Sequence, residues 1–126
     1  MAVDRERFEL QVARVVETLP QEFLTRLRNI DIVVEDYPSP AQRARAGLKG
    51  GQTLLGLYEG VPQTERGSHY GMVLPDKITI FQKPIEAKCR DDAEIVSEIR
   101  RVITHEIAHH LGISDARLQH IERGEN

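Results

Sequence analysis

Thr104-His105-Glu106-Ile107-Ala108-His109-His110-Leu111-Gly112-Ile113-Ser114-Asp115 contains His-Glu-x-x-His, then Gly112 three residues past the second histidine and Asp115 three residues past that. On a helix, positions i and i+4 lie on one face, one turn apart. The imidazoles of His105 and His109 can therefore reach one metal ion. Glu106, beside them, is placed to take a proton from water activated by that ion rather than to bind the ion itself. Gly112 suits the left-handed residue that ends a helix. The chain can then turn back and bring Asp115 to the same ion.

The residues before this stretch extend its helix. Asp91 or Asp92 caps it, and it runs to about Leu111. At 100° per residue Ile95, Ile99, Val102, Ile103 and Ile107 form one apolar arc. His105 and His109 lie together at the edge of the arc, and Glu106 lies on its flank. Glu98 sits two turns before His105 on the ligand side. His110 falls near the middle of the apolar face, which assigns it to the core or to a supporting contact rather than to the metal. After the motif, Ser114 reads as the N-cap of a last short helix, with Leu118 and Ile121 turned inward.

The chain upstream supplies what this helix packs on. Residues 3–18 read as an amphipathic helix, with Phe8, Val12, Val15 and Leu19 on one side. Pro20 suits the first turn of a short second helix carrying Phe23, Leu24 and Leu27. Ile30–Glu35 is a strand. Ser39, Pro40 and Gln42 form a helix start with the pattern of a capping box, and the helix runs to about Ala46. Gly47, Gly50 and Gly51 then read as a turn, because they lack the Lys-Ser/Thr of a phosphate loop. Thr53–Tyr58 is a second strand, in which Gly56 marks a bulge or a close backbone approach. Lys77–Phe81 is a third, closed by Pro84. Residues 59–76 have no period; a loop of this length in a small domain is a candidate functional cover, with His69 and Tyr70 between Gly67 and Gly71 as possible hinges.

Composition bounds the rest. The 126 residues predict one domain spanning 1–126. The apolar fraction of 40% and charged fraction of 29% are those of a soluble globular chain. The net charge is −3, with Lys and Arg scattered, so no nucleic-acid partner is expected. No apolar run is long enough to span a membrane, and no membrane association is expected. The charged N-terminus is no secretory signal. Cys89 is alone, so it forms no intrachain disulfide and reads as a small buried hydrophobe. A cytoplasmic protein is the expectation.

The donor set defines the chemistry. A zinc hydrolase needs three protein ligands and an open position for water. His105, His109 and Asp115 are the candidate ligands of one zinc ion, and Glu106 is the candidate general base. Asp115 is also explicable as a first-turn helix acid favoured by the dipole, and His120 and Glu122 are rival third ligands. Tyr58 and Tyr70 are candidate oxyanion donors, though an ordinary packing or surface role suits each better.

At His105–Asp115 the chain resembles zincin-type metallopeptidases in the form whose third ligand is Asp. Over nearly its whole length it is also similar to a family of small bacterial zincin-like proteins. The segments Ile32-Val33-Val34-Glu35-Asp36, Gly56-Leu57-Tyr58-Glu59-Gly60-Val61-Pro62 and Leu74-Pro75-Asp76-Lys77-Ile78 carry that likeness, with the terminal motif. The resemblance implies an α+β fold, a minimal zincin. In it a small mixed sheet of three to four strands packs against N-terminal helices and the long helix of the motif. By analogy one strand of that sheet would bind an extended peptide by edge addition. Metzincins add a Met-containing turn after the third ligand; Met1 and Met72 both lie upstream, so the chain departs from that branch, and no second subdomain is expected to wall the cleft.

The expected function is a zinc-dependent hydrolase, a metallopeptidase acting on short or unfolded peptides. Two other classes compete. A non-catalytic, metal-stabilised interaction domain would have no need of Glu106. A metal-dependent ribonuclease resembling the bacterial rRNA-processing zinc proteins would carry His where Asp115 stands and would show a basic stripe, and this chain has neither.

Overall fold

The computed structural model describes residues 2–48, 53–60 and 75–123, with the side chains of Asp115 and Glu122 excepted. Gly50 and Gly51, and most of the 59–76 loop with His69 and Tyr70, lie outside the described residues.

The long helix, α5 in chain order, spans Asp92–Leu111. Asp91 starts it, its carboxylate accepting the Glu94 N–H at 2.8 Å. Gly112 ends it at φ +74°, ψ 21°, the left-handed cap expected from the motif. Ile95, Ile99, Val102, Ile103 and Ile107 are all buried, as their spacing predicts. Against them pack α1 (Arg5–Glu17), through Phe8, Val12 and Val15, and α2 (Gln21–Leu27), through Phe23 and Leu27. Pro20 takes the N-cap position of α2. The last helix, α6 (Asp115–Glu122), is capped by Ser114 and buries Leu118 and Ile121.

Among the described residues the sheet has three strands, β1 (Ile30–Glu35), β2 (Gly56–Glu59) and β3 (Asp76–Phe81), in the order β1-β3-β2. β1 runs parallel to β3, pairing Ile32 with Ile78, and β2 runs antiparallel to β3, pairing Leu57 with Thr79. The sheet is therefore mixed, and the α+β expectation holds. Ile78, Thr79, Ile80 and Phe81 of the central strand are all fully buried, so both faces of β3 are covered. β2 is shorter than Thr53–Tyr58 predicts and ends one residue later.

Gly56 sits where β2 crosses α5. A Cβ there would come within 2.3 Å of Val102 Cγ1. The glycine is thus a close approach and not a bulge: it lets an edge strand lie against the helix that carries the motif.

Two elements bear on the sequence reading in opposite ways. Pro84 does not close β3. The chain passes from Phe81 straight into a helix, α4 (Gln82–Lys88), whose first turn accommodates the proline because the early N–H groups of a helix need no internal partner. The helix α3 (Pro40–Arg45) agrees in detail: Ser39 Oγ accepts the Gln42 N–H at 3.1 Å and Gln42 Oε1 accepts the Ser39 N–H at 2.8 Å, a complete capping box. α4 also anchors the start of the chain. Glu86 accepts the Val3 N–H at 2.8 Å, and Gln82 Nε2 donates to Val3 O at 2.8 Å and to Glu86 at 3.0 Å. Burial by itself would raise the Glu86 pKa. The donors from Gln82, Val3 and Lys83 outweigh burial and leave the carboxyl below its ordinary value.

Candidate metal centre and cleft

In the final two turns of α5 Ile107 and Ala108 stay in the core, and the side that bears the motif histidines opens. Here its side chains are accessible: His105 and His109 are both exposed. Neither imidazole has a hydrogen-bond partner among the described residues, so both nitrogen pairs are available to a ligand. Gly112 ends α5, and the Ser114 cap starts α6 at Asp115. No three His, Cys, Asp or Glu side chains among the described residues are grouped so as to hold a metal. The described part of the donor set is thus the His105–His109 pair, and the Asp115 side chain lies outside the description. Of the rival third ligands, His120 is exposed on α6, and the Glu122 side chain also lies outside the description.

Glu106 differs from the other two glutamates of α5. Glu94 accepts the Arg90 N–H, and Glu98 is held by Lys88 at 3.2 Å and by Arg101. Those donors outweigh burial and keep Glu98 below the ordinary carboxyl range. Glu106 instead turns toward β2. Its Oε2 accepts the Tyr58 N–H at 3.3 Å and stands 3.6 Å from His110 Nε2. Burial dominates here and raises the Glu106 pKa, against the lowering pull of the Tyr58 amide and of His110, His109 and His105. Its Oε1 has no hydrogen-bond partner among the described residues.

His110 is not a core residue. Its side chain is 39% exposed and its ring stacks on Tyr58, with centroids 4.6 Å apart and planes 13° from parallel. Its ring also lies tilted against His109, at 5.1 Å. Of the two sequence readings, core or supporting contact, only the second fits, because the apolar face of α5 outlasts the layer that fully buries it. Past Ile103 that covering is partial: Ile107 and Ala108 stay buried, while Glu106, His109 and His110, with Tyr58, line one side of a cleft of about 900 Å³. Tyr58 itself is committed elsewhere: its hydroxyl donates to Asp76 Oδ2 at 2.5 Å, which does not favour it as an oxyanion donor. Sequence reasoning missed that Tyr58 seats Glu106 and His110, with its backbone amide and its ring; the one available signal was Gly56, two residues before, which marked the strand as lying close to a helix. Cys89 is buried, as expected, and burial is the leading cause that raises its thiol pKa.

A His-Glu-x-x-His helix laid against the antiparallel edge strand of a small mixed sheet defines a zincin-type protein. The sequence model for the zincin-like metallopeptidase family matches residues 27–125, and the chain belongs to that family. A conserved hypothetical protein from the bacterium T. thermophilus has a similar structure: the TM-score is 0.56 at 26% sequence identity, over 86% of this chain and 94% of that one. No curated protein matches the sequence. Membership carries a zinc-dependent hydrolase at family level. Among the described residues, no helix is long and apolar enough to cross a membrane.

Proposed function

We propose that this chain is a zinc-dependent peptidase that acts on short or unfolded peptides in the cytoplasm, with the whole chain as one domain. His105 and His109 would hold one zinc ion with Asp115, and Glu106 would be the general base. Two imidazoles and a carboxylate are a donor set suited to zinc in an open, catalytic site. Zinc, when bound, supplies a Lewis acid that acidifies water and polarises a carbonyl.

The observation that carries this reading is the setting of Glu106. One oxygen, Oε2, is fixed by the Tyr58 amide and lies beside His110, while Oε1 keeps its lone pairs. A carboxylate held in this way can take a proton from water and pass it to the leaving amine without searching for an orientation. An extended peptide would lie along β2, with its scissile bond beside Glu106.

The test is turnover of a diverse peptide library by the zinc-loaded protein, with Glu106→Gln alongside. Cleavage by the wild type, lost in Glu106→Gln with zinc retained, is the expected result. If both proteins are inert across broad libraries, the peptidase reading fails and a non-catalytic zinc domain takes its place. Elemental analysis of Asp115→Ala tests the third ligand: zinc content should fall sharply.

A further inference from the structure

The cleft does not stop at the Glu106 side of β2. Its other wall includes Arg45 of α3 together with Leu57, Glu59 and Lys77, so one continuous space wraps the edge strand from face to face. Strand geometry explains the division. Successive side chains point to opposite faces, so Gly56 and Tyr58 turn toward α5 while Leu57 and Glu59 turn toward α3.

On the α3 face the charges are unequal in number and in exposure. Glu59 is the one carboxylate lining that wall among the described residues, and its side chain is only 11% exposed. It is saturated: Gln42 Nε2 donates to it at 3.1 Å and Thr79 Oγ1 at 3.3 Å, Arg45 pairs with it, and Lys77 Nζ lies 4.0 Å away. Arg45 and Lys77 remain 62% and 44% exposed. One largely covered carboxylate thus stands against two accessible cations, and the wall keeps one net positive charge.

We infer that Arg45 and Lys77 form a subsite selecting an acidic side chain in the bound peptide. A chain lying along β2 alternates its own side chains between the same two faces. The residue beside Tyr58 faces Glu106 and the histidines, and its neighbour, opposite Glu59, faces the two cations. An Asp or Glu there gains a charge-assisted contact, and a Lys or Arg meets repulsion. Glu59 acts as a positioning residue: it pairs with Arg45 and lies 4.0 Å from Lys77 Nζ, and its single charge offsets one of the two cations and leaves the other in excess. The inference rests on the proposed lie of a peptide along β2 and is independent of cleavage.

The experiment measures binding of fluorescent extended peptides to the zinc-loaded, full-length Glu106→Gln protein. The peptides share one sequence and carry Glu, Gln or Lys at each position in turn. One position should show a preference for Glu over Gln of about tenfold, with Lys weaker still. Arg45→Gln combined with Lys77→Gln should erase that preference. Arg45→Glu should reverse it; circular dichroism and a denaturant curve establish that each variant is folded, and the milder pair of substitutions serves if the charge-reversal variant is not. Equal affinity for the three peptides at every position, a preference that survives both variants, or no binding at all would overturn the inference. Turnover of the same peptides by the wild type reads the peptidase proposal separately: acid-selective binding without cleavage removes the catalytic reading and leaves the subsite.

Discussion

The two halves of α5 use one helical face for opposite purposes. In the first half Ile95, Ile99, Val102 and Ile103 are buried against α1, α2 and the sheet. One turn further on, the same stripe continues as Glu106 and His110, which line a cleft. The helix does not change; its neighbours do. Gly56 brings β2 within contact of Val102; beyond that crossing Ile107 and Ala108 remain in the core, while Glu106 and His110 meet only the Tyr58 amide and ring. A helical face is therefore core or site according to what stands opposite it. A polar residue that falls on an apolar stripe marks the place where the covering layer ends.

The largest effect belongs to the open half. Glu106→Gln should lower kcat by about a thousandfold on any peptide the wild type cleaves, at unchanged zinc content. Loss of zinc with loss of activity would instead make Glu106 part of the ligand set. The next effect sets the halves directly against each other. Ile103→Ala should cost about 2–5 kcal/mol in a denaturant titration, because a fully buried side chain leaves a cavity. His110→Ala, on the same stripe, should cost less than about 1 kcal/mol, since it removes only a half-exposed ring and its stack on Tyr58. Similar costs for both would mean that the helix is sealed along its whole length. At the crossing itself, Gly56→Ala should cost about 1–3 kcal/mol through overlap with Val102. Adding Val102→Ala should recover part of that loss; additive effects would show that the two residues are not in contact.

Much of this was legible in the sequence, and the part that was not has a common cause. The long helix, its Asp91 and Ser114 caps, its Gly112 stop and the capping box of α3 all depend on residues close together in the chain, and local chemistry specified them. β1 was read to the residue because Ile30–Glu35 is β-branched and bounded. Pro84 misled because a proline after a strand closes it or opens a helix equally well, and only the burial of Ile85 and Glu86 against the core decides between them. For His110 the core alternative fell and the supporting contact stood, because periodicity reports the face of a helix and not the extent of the layer above it. The Glu59–Arg45–Lys77 cluster draws on α3, β2 and β3, and nothing local joins them. His105, His109, Glu106 and Asp115 were legible as candidates because they share one short motif, carried by a single helix and its cap.

The smallest effect compares two carboxyls that burial alone would treat alike. Glu86, at the α4 anchor, is surrounded by donors and is lowered; Glu106, at the cleft, has one amide and is raised. The signs of their pH effects on stability are therefore opposite. Glu86 stabilises the fold above its unfolded pKa, and that contribution is lost as pH falls through its lower folded pKa. Glu106 binds its proton more tightly in the folded state, so its ionisation costs stability as pH rises through the folded value. In the metal-free protein, Glu86→Gln should destabilise at neutral pH by about 1–3 kcal/mol, with the difference shrinking toward acid. Glu106→Gln should stabilise at neutral pH by up to about 1 kcal/mol, and that gain too should vanish toward acid. Urea titrations of the three proteins across the acid range measure both differences. If Glu106→Gln destabilises at neutral pH, Glu106 belongs with Glu86 as a structural anchor, and the division of α5 into a packed half and a working half is wrong.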